Sequence, residues 1–247
     1  MEARALPGLP EIRPGDDLAG LLARAAGGEL RDGDVLIVAH KVVSKAEGAV
    51  VALDEIVPGE EARRLAAEHG KDPRAVQVVL DETVELVRAQ RGVLIARTRH
   101  GFVCANAGVD ASNAAEEGEL ILLPRDPDAS ARALRARLRA LTGAAPAVVV
   151  SDSFGRAWRH GQCDVAVGIA GLTALDDWRG RRDSAGRELR ATVIAVTDQA
   201  AAAADLARDK ASGEPAVVVR GLERHVTAAD GPGAAALVRP LEEDLFR

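Results

Sequence analysis

A chain of 247 residues is long enough for one large domain, or two small interlocked ones, with an ample core. Apolar residues at 47% and charged residues at 28% rule against a disordered chain. A net charge of −6, with aromatics at 2% and no Tyr, argues against a general nucleic-acid or anionic-membrane binder.

The opening "MEARALPGLPEIRPGDD" carries acidic residues and prolines and lacks the apolar core of a signal peptide. No run approaches the ~20 apolar residues that span a bilayer, so a cytoplasmic protein is expected. Asp32-Gly33-Asp34 is turn chemistry. It precedes a strand over Val35–Ala39, a short polar break and further strand in "KVVSKAEGAVV". Pro58–Gly70 and Asp72–Ala89 read as helical, with Pro73 near a helix start. Val93–Arg97 reads as a strand and Phe102–Ala105 as its hairpin partner.

"GVDASNAAEEGELILLP" is a loop followed by a strand at Leu120–Leu123. "DPDASARALRARLRAL" predicts a helix with Leu134, Leu138 and Leu141 on one face and its arginines on a solvated one. Ser130, Asp126 and Asp128 compete to cap it. Ala147–Val150 is a buried strand, Val165–Leu172 a second apolar element, "WRGRRDSAGREL" a polar excursion, and Ala191–Val196 a strand. "DQAAAAADLARDK" begins a helix, Ala216–Arg220 is a strand, and the tail is a terminal arm or small helix. The expected architecture is mixed α/β, in no regular βαβ order, over residues 1–247 as one unit, which two interlocked subdomains would also satisfy. Cys104 and Cys163 stand far apart in no metal-type spacing, as free thiols in a reducing compartment would.

Asp152 ends the valine run of Val148–Val150, and Asp110 sits in a turn after Gly108-Val109. Hard divalent cations prefer such oxygens, with a hydroxyl such as that of Ser153 and water completing the shell. Asp198 and Gln199 at a strand-to-helix junction offer more oxygen, and no zinc pattern occurs. Magnesium or manganese is therefore expected, although each Asp taken alone also fits a cap or turn. Phosphate needs donors and positive charge. Lys41 and Lys45 flank "VVS", and Arg156 and Arg159 lie just beyond Asp152. Neither G-x-x-x-x-G-K-[ST] nor a strand-linked G-x-G-x-x-G is present, so a nucleotide would be held by another device.

Five blocks carry a resemblance: "LPEIRPGDDL", "GDVLIVAHKVVSKAEG", "AGVDASN", "SDSFGRAWRHGQCDVAVG", and "AADLARDK" followed by "VVVRGL". In this order they resemble the coenzyme F-420:L-glutamate ligase family, also called F-420:γ-glutamyl ligase, from about Leu6 to Leu222. The block around Asp152 is the most specific. The likeness is to the stand-alone form, without the C-terminal reductase domain of the bifunctional version.

The resemblance implies a GTP-dependent amide ligase that joins L-glutamate, once or more in γ-linkage, to the deazaflavin precursor of coenzyme F-420 through an acyl phosphate. It implies a family-specific fold, an intertwined homodimer, two divalent cations (magnesium or manganese), a monovalent potassium, and small-molecule substrates only. It implies that Leu9, Pro10, Glu11 and Ile12 form a GTP-binding segment and that His40, Lys45 and Asn113 contact the nucleotide. It makes Asp110 and Asp152 metal aspartates, with Ser153 at the other metal and Gln199 a further ligand. Gln199 replaces a frequent Glu, His40 a frequent small hydroxyl residue, Ser151 and Ser153 threonines, and Cys163 a frequent Thr. Arg156 and Arg159 would clamp a carboxylate or the substrate phosphodiester. Trp158 would pack on the flat substrate or in the core. The competing readings are a metal-dependent nucleotide phosphohydrolase, which needs only water at the phosphoryl group, and a non-catalytic nucleotide-binding module, which needs no pair of metal carboxylates.

Overall fold

The computed structural model describes residues 1–209 and 212–245. In chain order the elements are β1 (Glu2–Ala5), α1 (Leu18–Ala25), β2 (Val35–Ala39), α2 (His40–Ala46), β3 (Val50–Ala52), α3 (Glu60–His69), α4 (Pro73–Asp81), β4 (Thr83–Gln90), β5 (Val93–Thr98) and β6 (Val103–Ala105). There follow β7 (Glu119–Ile121), α5 (Pro127–Thr142), β8 (Ala147–Arg156), β9 (Arg159–Ala170), β10 (Asp176–Asp177), β11 (Val193–Ile194), α6 (Val196–Asp205) and β12 (Ala216–Arg220). The mixed α/β expectation holds.

The valine runs build the central sheet, in the order β1-β12-β2-β8-β9. Only β2 and β8 run parallel, Val35 opposite Ala147 through Ala39 opposite Ser151. Strands buried on both faces need apolar residues at every position, and that is what these runs supply. Leu36, Val38, Val148 and Val150 pack with Leu18 and Leu22 of α1 and Leu134 and Leu138 of α5. Val35, Ile37, Ala147 and Val149 face the other way, onto Ala200 and Ala204 of α6 and Ala234 of the tail. Each such fully buried valine contributes about 1.5–3 kcal/mol by leaving water. A further core lies between α3 and α4 and the sheet β4-β5-β6, around Leu65, Val76, Val79 and Leu94.

Several boundaries differ from the sequence expectations. The polar break after Ala39 is the helix α2. The helix expected to reach Ala89 stops at Asp81, because Thr83–Gln90 pairs with β5. Arg91 and Gly92, at φ 53° and 78°, form the tight turn between them, the backbone that two-residue hairpins require. Asp126 caps α5, accepting from the Ala129 amide at 2.8 Å. On that helix Leu141 is exposed, while Arg135 is buried and donates to the carbonyls of Pro146, Thr227 and Ala228 and to Asp230. One of the expected solvated arginines thus staples the tail to the core. The strand expected over Ala191–Val196 is reduced to Val193–Ile194, and Val196 opens α6. The tail makes single turns of 3₁₀ helix at 234–237 and 241–243.

Asp152 does not end its strand. β8 continues to Arg156 and turns at Ala157 and Trp158 into β9, with Arg156 opposite Arg159. α5 seats its first turn directly on β9. A Cβ placed on Gly168 would lie 2.2 Å from the Pro127 carbonyl oxygen. Gly168→Ala is therefore expected to lower the unfolding free energy by about 1–3 kcal/mol or more. Urea denaturation checks this, and an unchanged midpoint would mean that this contact is not rigid.

Candidate functional site

β2 ends at Ala39 beside Ser151 while β8 runs on, and ligands of α/β sheets bind beyond the carboxyl ends of such parallel strands. Here that edge opens into a cleft of about 330 Å³. Leu9, Pro10, Glu11 and Ile12 form one wall. His40, Lys41 and Lys45 of α2 form the second, and Ser151, Asp152 and Ser153 of β8 the third. Asn113, Asp164, Arg208, Asp209 and Glu214 add polar groups to the lining.

The β8 wall follows from strand periodicity. Ser151 and Ser153 are two residues apart and share a face. Both donate to Asp164 of β9, Ser151 Oγ to Oδ2 at 2.9 Å and Ser153 Oγ to Oδ1 at 2.6 Å. Asp164 is 1% exposed and also accepts from Arg208 Nη2. Arg208 Nη1 donates to the Pro215 carbonyl at 3.0 Å. A buried charge is tolerated only when paired and hydrogen-bonded, and here that pairing ties the β8–β9 hairpin to the segment that follows α6.

Asp152, between the two serines, faces the other way. Its Oδ1 accepts from the Ser153 amide at 2.7 Å and lies 3.2 Å from Nε2 of the buried His40. Burial first, and the Asp152 charge second, push the neighbouring Cys104 thiol up to about 12. Cys104 and Cys163 are both free.

The α2 wall supplies positive charge. Lys45 is buried, yet its Nζ contacts Glu11 Oε1 at 2.5 Å. Lys41 Nζ reaches Asp110 Oδ2 at 2.8 Å and Asn113 Oδ1 at 3.3 Å. Burial alone would raise the Asp110 carboxyl. The hydrogen bonds from Lys41 and from the Ser112 amide outweigh it and hold the group below the usual carboxylate range.

Of the residues expected from sequence, Leu9, Pro10, Glu11, Ile12, His40, Lys45, Asn113, Asp152 and Ser153 converge on this cleft. Asp110 stands behind Lys41 and is not part of the lining. Arg156 and Arg159 lie at the exposed hairpin tip, where Arg156 Nη2 donates to the His160 carbonyl at 2.6 Å. Trp158 is 80% exposed at that tip, so it is no core residue. Gln199 is exposed on α6 and lies outside the lining. Its neighbour Asp198 instead accepts from the Ala166 amide at 2.9 Å, and burial pushes its carboxyl up. Lys210 of the "AADLARDK" block lies outside the described residues.

Sequence reasoning gave no role to Asp164, Arg208 or Glu214. The signal for Asp164 was a lone carboxylate at the threshold of the apolar "VAVGIA" run. Arg208 and Glu214 are brought to the cleft by the path of the chain after α6.

Among the described residues no three His, Cys, Asp or Glu side chains gather as a ready-made cation cage. The donors present suit a cation that arrives with phosphates, since magnesium-type sites typically use one or two carboxylates plus the substrate. Asp152 and the unpaired imidazole of His40 beside it are the fitting groups.

A family model described as F420-0:Gamma-glutamyl ligase matches residues 8–221. The chain is 50% identical over 239 residues to a coenzyme F420:L-glutamate ligase of Methanopyrus kandleri, covering 96% of this chain and 94% of the relative. It is 45% identical over 248 residues to the protein of that description from Archaeoglobus fulgidus, covering 100% and 96%. The corresponding Methanocaldococcus jannaschii protein is 41% identical over 242 residues, covering 97% and 94%.

Because Arg208 pairs with a buried carboxylate, Arg208→Met is expected to cost about 1–3 kcal/mol of stability. Asp152→Asn should cost less than about 1 kcal/mol. Paired urea titrations test the difference, and equal losses in the two variants would remove Asp164–Arg208 from its structural role.

Proposed function

This chain belongs to the F420-0:gamma-glutamyl ligase family and is a ligase that forms carbon–nitrogen bonds, and from that premise we propose that it adds L-glutamate, one or more residues in γ-linkage, to the deazaflavin precursor of coenzyme F-420, with GTP as phosphoryl donor. The observation that carries this reading is a single cleft in which two lysines of α2 face Asp152 of β8. Phosphoryl transfer needs positive charge and positioning more than covalent help from the protein.

In the proposed reaction a precursor carboxylate oxygen attacks the γ-phosphorus of GTP. The bond from that phosphorus to the β,γ-bridging oxygen breaks and GDP leaves. The glutamate amine then attacks the acyl phosphate carbonyl, the carbon–oxygen bond to phosphate breaks, phosphate departs and the nitrogen loses its proton. Lys45 lies buried against the exposed Glu11 carboxylate. Nucleotide phosphates would take over from Glu11 as its partner. Lys41 and Asn113 would order the nucleotide at the adjoining wall. Divalent cations, magnesium or manganese, and a potassium ion would supply charge neutralisation for the phosphoryl transfer. Asp152 and Ser153 would hold them in the cleft, and Asp110 would join once Lys41 turns from it to the phosphates.

Arg156 and Arg159 project on the hairpin beyond Ser153. This placement supports a docking role toward the anionic precursor, bidentate where its oxygens allow, rather than chemistry at the phosphorus. An acyl phosphate is open to water, so the cleft would close over it before the amine attacks. A homodimer working in the cytoplasm belongs to the same proposal. Among the described residues no helix is long and apolar enough to cross a membrane.

Incubation with the deazaflavin precursor, GTP, glutamate and manganese or magnesium, read by mass spectrometry, should give glutamylated product only when all are present. GTP hydrolysis at full rate without precursor and glutamate would favour a phosphohydrolase instead. Lys45→Ala should weaken GTP binding by about 1.5–3 kcal/mol. An unchanged dissociation constant by calorimetry would remove Lys45 from the phosphate site.

A further inference from the structure

His40 is 2% exposed and lines the cleft, and among the described residues neither of its ring nitrogens has a hydrogen-bond partner. Such a group is rare, because buried polar atoms are almost always paired. His40 Nε2 lies 3.2 Å from Asp152 Oδ1. That is within reach of an ion pair, yet the ring N–H axis misses the oxygen and no hydrogen bond forms.

The same spacing has a different meaning for two donors that share a cation. Nitrogen and oxygen ligands of small divalent ions sit at about 2.0–2.2 Å, and neighbouring corners of an octahedral shell are then separated by about 3 Å. The carboxylate is fixed from behind by the Ser153 amide. The imidazole is fixed by its burial at the first turn of α2, at the β2 junction. Both are therefore held in place before any ligand arrives.

We infer that His40 Nε2 is a nitrogen ligand, alongside Asp152, to the divalent cation that accompanies the nucleotide. The inference rests on the nucleotide reading of the cleft. It gives the site a donor that magnesium uses poorly and that transition ions accept readily. Selectivity for a manganese-type ion would then come from α2, while the lysines of the same helix serve the phosphates.

The test is pulsed electron paramagnetic resonance on the full chain with manganese(II) and GDP. Wild-type protein should show the nitrogen hyperfine coupling of a directly bound imidazole. His40→Gln and His40→Asn should lack it and should bind manganese more weakly, on the order of 10- to 100-fold, with a smaller change for magnesium. Bound manganese without nitrogen coupling in the wild type, or coupling that survives both substitutions, overturns the assignment and leaves the nucleotide reading standing. Failure of manganese to bind in the presence of GDP overturns both. If the variants do not fold, wild-type chain carrying ¹⁵N-histidine decides the matter, since His40 is the only His in the cleft lining. The coupling pattern must change with the isotope, and an unchanged pattern overturns the inference.

Discussion

The cleft depends on one buried charge. Asp164 has a carboxylate with almost no access to water, and it is stable there because Arg208, Ser151 and Ser153 all donate to it. This single cluster sets three things at once. It orients the two serines of β8, and so fixes that Asp152 between them points toward α2. It pins β9 against β8 at the level where the sheet leaves the core. Through Arg208 and the Pro215 carbonyl it holds the chain after α6 against the cleft, bringing Glu214 to its edge. Removing Arg208 takes a charged partner from a buried carboxylate, and removing Asp164 leaves a buried guanidinium without that carboxylate, so the site and the local fold are coupled here.

The rest of the site is arranged around complementary charge at a strand edge. β2 and β8 are the one parallel pair of the central sheet, and their carboxyl ends place α2 and Asp152 on opposite sides of one opening. α2 contributes Lys41 and Lys45, each already matched to a carboxylate, Asp110 and Glu11. These pairings keep the buried lysine compensated, and in the proposed reaction nucleotide phosphates would replace its partner. The hairpin tip with Arg156 and Arg159 extends outward from the same β8 residues that line the cleft, which supports a division between a phosphate-handling interior and a substrate-docking exterior.

Much of this was legible in the chain itself. Val35–Ala39, Ala147–Val150 and Ala216–Val219 are apolar at every position, and all three lie in strands of the central sheet. The blocks around Pro10, Lys45, Asn113 and Asp152 are far apart in sequence, and the fold brings them to one opening. What was not legible has physical causes. β1 is four residues long and is a strand only because β12 lies beside it. β4 carries valines that suit either helix or strand, and the turn at Arg91-Gly92 decides between them. Arg135 reads as surface until the tail supplies its carbonyls. Gln199 is a metal ligand by the family resemblance, whereas α6 turns it outward and leaves Asp198 to bond β9. Asp164 and Arg208 are far apart in sequence and find each other only through the path of the chain, which no local pattern announces.

The proposed reaction transfers a phosphoryl group to a carboxylate within this cleft. The most direct test uses precursor labelled with oxygen-18 in its carboxylate, turned over with GTP and glutamate. If an acyl phosphate forms, one labelled oxygen must leave with the released phosphate, and mass spectrometry should find it there in step with amide formation. Unlabelled phosphate alongside authentic glutamylated product would contradict the account.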